Sequence, residues 1–237
     1  MTFKERFYLN FIKDSRWHYL TDGLLVTLEV TFFAVLIGIL IGVIVAGIRS
    51  THDKLADRTR SKFGKFVLKF FNAIANLYLT VIRGTPVTVQ LMIAYYIIFI
   101  SSNNKVLVAV LAFGINSGAY VAEIVRSGIM SVDEGQTEAG RSLGFNYVQT
   151  MFYIVLPQAI KNVLPALANE FIVLLKETSV SGYVALQDLT RGGDIIRGRT
   201  YDAFFPLLAV AGIYLVMVIG FTKLVSLLER RLRKSER

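Results

Sequence analysis

Apolar residues run along this chain in long blocks, with polar residues gathered between them. Residues 24–48 form the clearest block. At 1.5 Å of helical rise per residue it is long enough to cross the roughly 30 Å hydrocarbon layer of a bilayer. The same pattern predicts crossings over Lys105–Met130, 154–178 and 203–228. The stretch from 63 to 100 is interrupted at Arg83-Gly84-Thr85-Pro86, since proline lacks a backbone donor and restricts the residue before it. Residues 87–100 are short for a crossing of their own. Counting 63–82 and 87–100 as one crossing places the basic loop 49–69, the polar loop 130–156 and the basic tail 230–237 on one side. Those regions hold the larger share of Lys and Arg, which marks the cytoplasmic face. The prediction is an all-α membrane protein of five transmembrane helices, N-terminus outside and C-terminus cytoplasmic.

Within the blocks, the spacing of small and polar residues adds detail. Gly38, Gly42 and Ala46 recur every four residues and give the first crossing a thin face for a neighbouring helix. Glu29 falls near its outer boundary. Lys62, Lys65, Lys69, Asn72 and Asn76 make one helical stripe, apart from Phe63, Phe66, Phe70 and Ile74. Gly114, Ser117, Gly118 and Ala119 thin the middle of the third crossing. Glu123 and Arg126 near its inner end are spaced to pair with each other. Outside, 179–202 is polar, with a short helix expected near 182–190. Residues 1–20 mix Phe, Tyr and Trp with Lys and Arg, which suits an interfacial segment; a loosely ordered tail is the alternative. The organisation expected is this segment, one transmembrane domain over 21–230 that includes the loop 130–157, and a basic tail at 231–237.

Composition narrows the function. The 237 residues are 54% hydrophobic and 18% charged, and a mean hydropathy of +0.54 is too high for an ordinary soluble domain. The net charge of +9 would suggest nucleic acid in a soluble protein; here it reports topology, and no nucleic-acid partner is expected. With no cysteine, and with His18 and His52 far apart, neither a disulfide nor a metal centre is expected. Residues 1–22 lack the continuous apolar core of a cleaved signal peptide. No phosphate-binding glycine loop or Ser-His-Asp set is present, so the chain should not hydrolyse ATP and is not expected to be an enzyme.

The polar loop is the feature that composition does not explain. Residues 138–143 can form a short helix that Gly144 ends at positive φ, and Asn146 can cap a second helix running toward Pro157. Two short helices about a glycine bend make a knob suited to a cleft on another protein. Glu138-Ala139-Gly140, three residues, Gly144, nine residues and Ile154-Val155-Leu156-Pro157 resemble the "EAA" loop of the membrane subunits of ATP-binding-cassette (ABC) importers. Gly118-Ala119-Tyr120, Glu123-Ile124, Arg126-Ser127-Gly128-Ile129, Gly135-Gln136, Arg83-Gly84-Thr85-Pro86, Val89-Gln90 and Asn169-Glu170-Phe171 resemble the polar amino-acid permease family, the histidine, glutamine and arginine type. The resemblance covers roughly residues 20–230. It departs at Gly140, where the motif more often has a second alanine.

The resemblance implies a type I importer permease in a prokaryotic cytoplasmic membrane, forming the translocation path by alternating access. It implies a cytoplasmic ABC ATPase dimer carrying ATP and Mg, docked through Glu138, Ala139, Gly140, Gly144, Leu156 and Pro157. It also implies a second permease subunit (a homodimer ahead of a heterodimer) and an extracytoplasmic substrate-binding protein. On the fourth crossing Gln158, Asn162, Ala166, Asn169, Val173 and Lys176 share a narrow sector flanked by Glu170 and Glu177. Polar groups at membrane depth are costly against lipid and useful beside water. Glu170 and Asn169, with Asn162 and Gln90, are therefore candidates for the substrate path, a carboxylate and amides for a zwitterionic amino acid. Structural bonding near Pro165 is the other reading. An ion-coupled secondary carrier is the alternative function; such carriers often show repeated halves, and no repeat is evident here.

Overall fold

The computed structural model describes residues 1–56, 59 and 61–234. Asp57, Arg58 and Arg60 of the basic loop and residues 235–237 of the basic tail lie outside the described residues. Helices α1 (Phe3–Phe7), α2 (His18–Leu55), α3 (Lys62–Gly84), α4 (Val87–Ile93), α5 (Lys105–Met130), α6 (Glu134–Ser142), α7 (Tyr147–Thr150), α8 (Leu156–Glu177), α9 (Leu189–Thr200) and α10 (Phe204–Lys234) follow one another. A π turn, Met151–Val155, joins α7 to α8, so the fourth apolar helix is continuous over Tyr147–Val184. Among the described residues, five helices are long and apolar enough to cross a membrane: His18–Leu55, Lys62–Gly84, Lys105–Met130, Tyr147–Val184 and Phe204–Leu232. Five is the number that the hydropathy pattern predicts. The expected break falls at Thr85-Pro86, where Pro86 precedes α4 with φ −64° and ψ 136°.

The fold divides into two compact units. One comprises Met1–Leu36, Thr85–Gly114 and Phe171–Leu224; the other comprises Ile37–Gly84, Ile115–Glu170 and the chain from Val225 on. In the first unit Leu20, Leu189, Ile196 and Val210 form a buried core with Phe11, Leu24 and Ile213 packed against it. The N-terminal segment is fastened rather than loose. Arg6 donates through Nε and an Nη to the two oxygens of Asp202 at 3.0 and 2.8 Å. Buried Asn10 donates to Asp202 Oδ2 at 2.9 Å and accepts from the Thr200 hydroxyl at 2.9 Å. Arg6 holds the Asp202 carboxyl down to about 2 against partial desolvation.

The outer helix is not at 182–190 as predicted. A 3-10 turn occupies Thr178–Val184, and α9 begins only at Leu189, capped by the Asp188 side chain, which accepts from the Arg191 N–H at 2.9 Å. Gly192 and Gly193 are both buried inside α9. A Cβ at Gly192 would collide with the Tyr19 carbonyl of α2, and one at Gly23 would stand 2.5 Å from the Asp188 carbonyl oxygen. These glycines are there for backbone-to-backbone contact, which outweighs their helix-breaking tendency.

In the second unit the thin face of α2 packs on α5, as the four-residue spacing predicts. A Cβ at Gly38 would stand 2.9 Å from Ser117 Oγ, one at Gly42 would collide with Val121, and Ala46 is fully buried. Val45, Ala75, Leu79, Ala119 and Ala122 make the contact between α2, α3 and α5. Close approach of small residues replaces the hydrophobic drive that lipid cannot supply. Glu123 and Arg126, expected to pair along their own helix, instead each reach α2. Arg49 donates to Glu123 at 3.0 Å, with the Arg83 guanidinium 3.7 Å from the same oxygen, and Arg126 donates to Asp53 at 2.8 Å. A neighbouring helix at this depth supplies partners that intrahelical spacing cannot reveal.

Candidate functional site

The polar loop folds as two helices about a bend. Asp133 caps α6, its Oδ1 accepting from the Gly135 N–H at 2.7 Å. The helix starts at Glu134, four residues earlier than expected, and ends with Leu143 donating to the Ala139 carbonyl and Gly144 to that of Arg141. Gly144 then takes φ +85°, a conformation that an L side chain resists. Asn146 and Gln149 form a capping box at the start of α7, each side chain accepting the other's N–H at 2.9 Å.

Gly140 explains its own departure from alanine. It is buried, and a Cβ there would meet Ile154 Cδ1 at 2.8 Å and Thr150 Cγ2 at 2.9 Å. The missing methyl lets α6 lie directly on the α7–α8 junction. Ile129, Val155 and Ala159 are buried beneath, with Leu156 packed against them. Beside the loop is an open groove of about 600 Å³, lined among others by Asp53 and Lys54 from the C-terminal end of α2 and by Glu138, Arg141, Phe145 and Tyr147. Of the residues predicted to couple, Gly140 is buried, while Glu138, Ala139, Gly144 and Pro157 are surface or near-surface residues within this compact element.

The sector predicted on α8 is an exposed face: Gln158, Asn162 and Asn169 are all open. Asn162 donates to Ser131 Oγ at 2.9 Å, and Gln158 bonds the Ile154 carbonyl at 2.9 Å. Glu170, one residue round, turns inward, with 9% of its surface exposed, and accepts from the Ser117 hydroxyl at 2.8 Å. The structure therefore gives Asn169 and Glu170 different surroundings, one open and one bonded to α5. Ser117, read in the sequence only as a small residue that thins the third crossing, is the partner that sequence reasoning missed. Gln90 belongs to the other unit and donates back to Thr85 Oγ1 at 2.8 Å and to the Thr85 carbonyl at 3.1 Å. Pro165 lies inside α8.

Five membrane-length helices, with a two-helix knob between the third and fourth and polar side chains on a spanning helix, define a multi-pass membrane protein of the transport class. The family described as "Binding-protein-dependent transport system inner membrane component" matches residues 63–234, and the chain belongs to it. Its fold is that of type I ABC importer permeases, and it is the membrane permease subunit of such a system. It is similar to the crystal structure of an amino acid ABC transporter with histidines, at 43% identity and a TM-score of 0.80, covering 93% of this chain and 98% of that one. It is also similar to the arginine transport system permease protein of Bacillus subtilis (strain 168), 34% identical over 92% of this chain and 94% of that one. The glutamine transport system permease protein of Escherichia coli (strain K12) is 36% identical over 68% of this chain and 76% of its own.

Proposed function

We propose that this chain is the permease subunit of an ATP-driven importer for polar amino acids in a bacterial cytoplasmic membrane. The observation that carries the substrate class is the 43% identity, over nearly the whole chain, to an amino acid ABC transporter. The chain has its N-terminus outside and its C-terminus in the cytoplasm, with 21–230 as one transmembrane domain and residues 1–20 at the outer interface. A second permease copy completes the path. A cytoplasmic ATPase pair seats the α6–α7 knob through Glu138, Ala139, Gly140 and Gly144, with Leu156 and Pro157 behind it. An extracytoplasmic binding protein delivers cargo. ATP binding closes the ATPase pair and draws the two docked knobs together, turning the path outward; hydrolysis returns it inward. Work enters only through the knob, so a rigid bend at Gly144 matters more than its side-chain chemistry.

Glu170 supplies charge for the ammonium of the cargo, and Asn169 and Asn162 supply amides along the same helix. Ser117 fixes one Glu170 oxygen and so sets the direction of the carboxylate. A charged hydrogen bond is worth about 1.5–3 kcal/mol, or ten- to a hundredfold in affinity. Glu170→Gln keeps the size and removes the charge. In proteoliposomes with ATPase and binding protein held constant, uptake of labelled arginine, histidine or glutamine should fall by that factor while the complex stays assembled. Unchanged rate and concentration dependence would remove Glu170 from the path. Uptake driven by a proton or sodium gradient without ATP would replace the importer reading by a secondary carrier.

A further inference from the structure

The segment between the fourth and fifth crossings ends in a residue whose identity the fold does not account for. Tyr201 has φ 54° and ψ 23° and is 96% exposed. Its N–H closes α9 on the Arg197 carbonyl at 2.9 Å, a task that glycine performs without the penalty of a Cβ in the left-handed region. The ring gains almost no burial in return. A strained, fully presented aromatic is a reason to look for a partner rather than for a structural role.

Its surroundings point to the chemistry of that partner. The helix Leu189–Thr200 carries Arg191, Arg197 and Arg199 against Asp194 alone. Asp194 holds two of them in place, accepting from Arg191 at 2.6 Å and from Arg197 at 2.9 and 2.6 Å. The Arg199 guanidinium stacks 4.9 Å from the centre of the Tyr19 ring. The end of the helix is pinned as well, since Thr200 bonds Asn10 and the next residue after Tyr201 is Asp202, clasped by Arg6. A cationic face with arginines and a tyrosine, immobilised before anything binds, meets the requirements for a preorganised docking surface.

We propose that Arg197, Arg199 and Tyr201 form the surface on which the extracytoplasmic binding protein docks through an acidic patch. The proposal rests on the importer reading above. With the α6–α7 knob in the cytoplasm, one further crossing carries the chain to α9 on the outer side. Charge complementarity selects an acidic partner, and it steers encounter more than it holds the complex. The tyrosine supplies the holding contact.

Two substitutions test this in the whole permease–ATPase complex, reconstituted in nanodiscs with the purified binding protein that supports wild-type uptake as the soluble probe. Tyr201→Gly removes the ring and relieves the backbone, so loss of folding cannot imitate loss of docking. The expected result is a Tm equal to or above wild type, unchanged basal ATPase activity, and a Kd for the binding protein at least tenfold higher. Arg199→Glu should raise Kd at low salt by a larger factor than at high salt, because screening weakens exposed charges. Wild-type Kd values in both variants overturn the docking surface while leaving the importer intact. Conversion of a permease dimer to monomers by Tyr201→Gly also overturns it, because the ring would then be covered by a second copy. A wild-type complex whose uptake no binding protein supports overturns the importer reading itself.

Discussion

A methyl group at position 140 would stand 2.8 Å from Ile154 Cδ1 and 2.9 Å from Thr150 Cγ2, closer than packed carbons approach. Gly140→Ala should therefore lift α6 from the α7–α8 junction, at a cost of about 1–3 kcal/mol. Ile154→Val deletes the Cδ1 and should recover part of that loss in the double variant. Thermal unfolding together with the amount of ATPase retained on the purified complex would show it; a wild-type single variant would sink the packing argument. Asp188 gives a second residue-scale prediction. Burial pushes its carboxyl up to about 6, partly offset by the Arg191 N–H that it caps. An acid whose folded value is raised penalises the fold where it is charged, and the penalty fades as pH falls from above about 6 toward 4. Asp188→Asn keeps the capping oxygen without the charge. It should unfold at a higher temperature than wild type near about pH 7.5, with the gap closed by about pH 4; a gap that does not change with pH would refute the charge argument. The sequence shows Gly140 as a departure from its motif, but not Ile154 and Thr150 as the reason, because that reason lies on another element.

Among the helices, what could be read from sequence followed from periodicity, and what was missed followed from contact. The Gly38, Gly42 and Ala46 spacing identifies the face of α2, and α5 occupies it. Gly42→Leu should accordingly cost the protein its detergent stability, whereas Gly47→Leu, where a Cβ meets nothing within 4 Å, should be tolerated. Comparing monodisperse yield after extraction separates the two; equal yields would contradict helix-on-helix packing at Gly42. The knob was legible because glycine, Asn caps and turn chemistry act locally. Helix α9 runs beyond the predicted 182–190 because Gly192 and Gly193, poor helix formers by propensity, sit where a close crossing needs them, and that contact is not visible in the sequence. The Glu123 and Arg126 partners were missed for the same reason, since their ion pairs cross to α2 and, for Glu123, to Arg83 of the Arg-Gly-Thr-Pro break.

At the scale of the whole molecule, the proposed orientation, N-terminus outside and C-terminus in the cytoplasm, rests on an odd number of membrane-length helices and on the basic loops. The chain has no native cysteine, so single cysteines report without background from this subunit. One at Asn103 should react with an impermeant maleimide added outside intact cells, and one at Ser131 should not; reversed labelling would overturn the orientation and the coupling scheme together. The number of crossings was legible from hydropathy together with the Lys and Arg bias, which decided how to count 63–100. The division into two compact units was not, since it cuts through helices at 36, 114, 170 and 224 where the sequence shows no boundary. Pro165 carries a final consequence for how this chain meets its solvents. Proline has no amide hydrogen, so the ladder of α8 cannot use the Lys161 carbonyl in the ordinary way. An unsatisfied carbonyl costs several kcal/mol in hydrocarbon. By helical geometry Pro165 lies within about 60° of both Asn162 and Asn169 around the axis. That side of α8 therefore carries a carbonyl deprived of its usual helical donor beside the exposed amides of Asn162 and Asn169, so its polarity lies in the backbone as well as in the side chains.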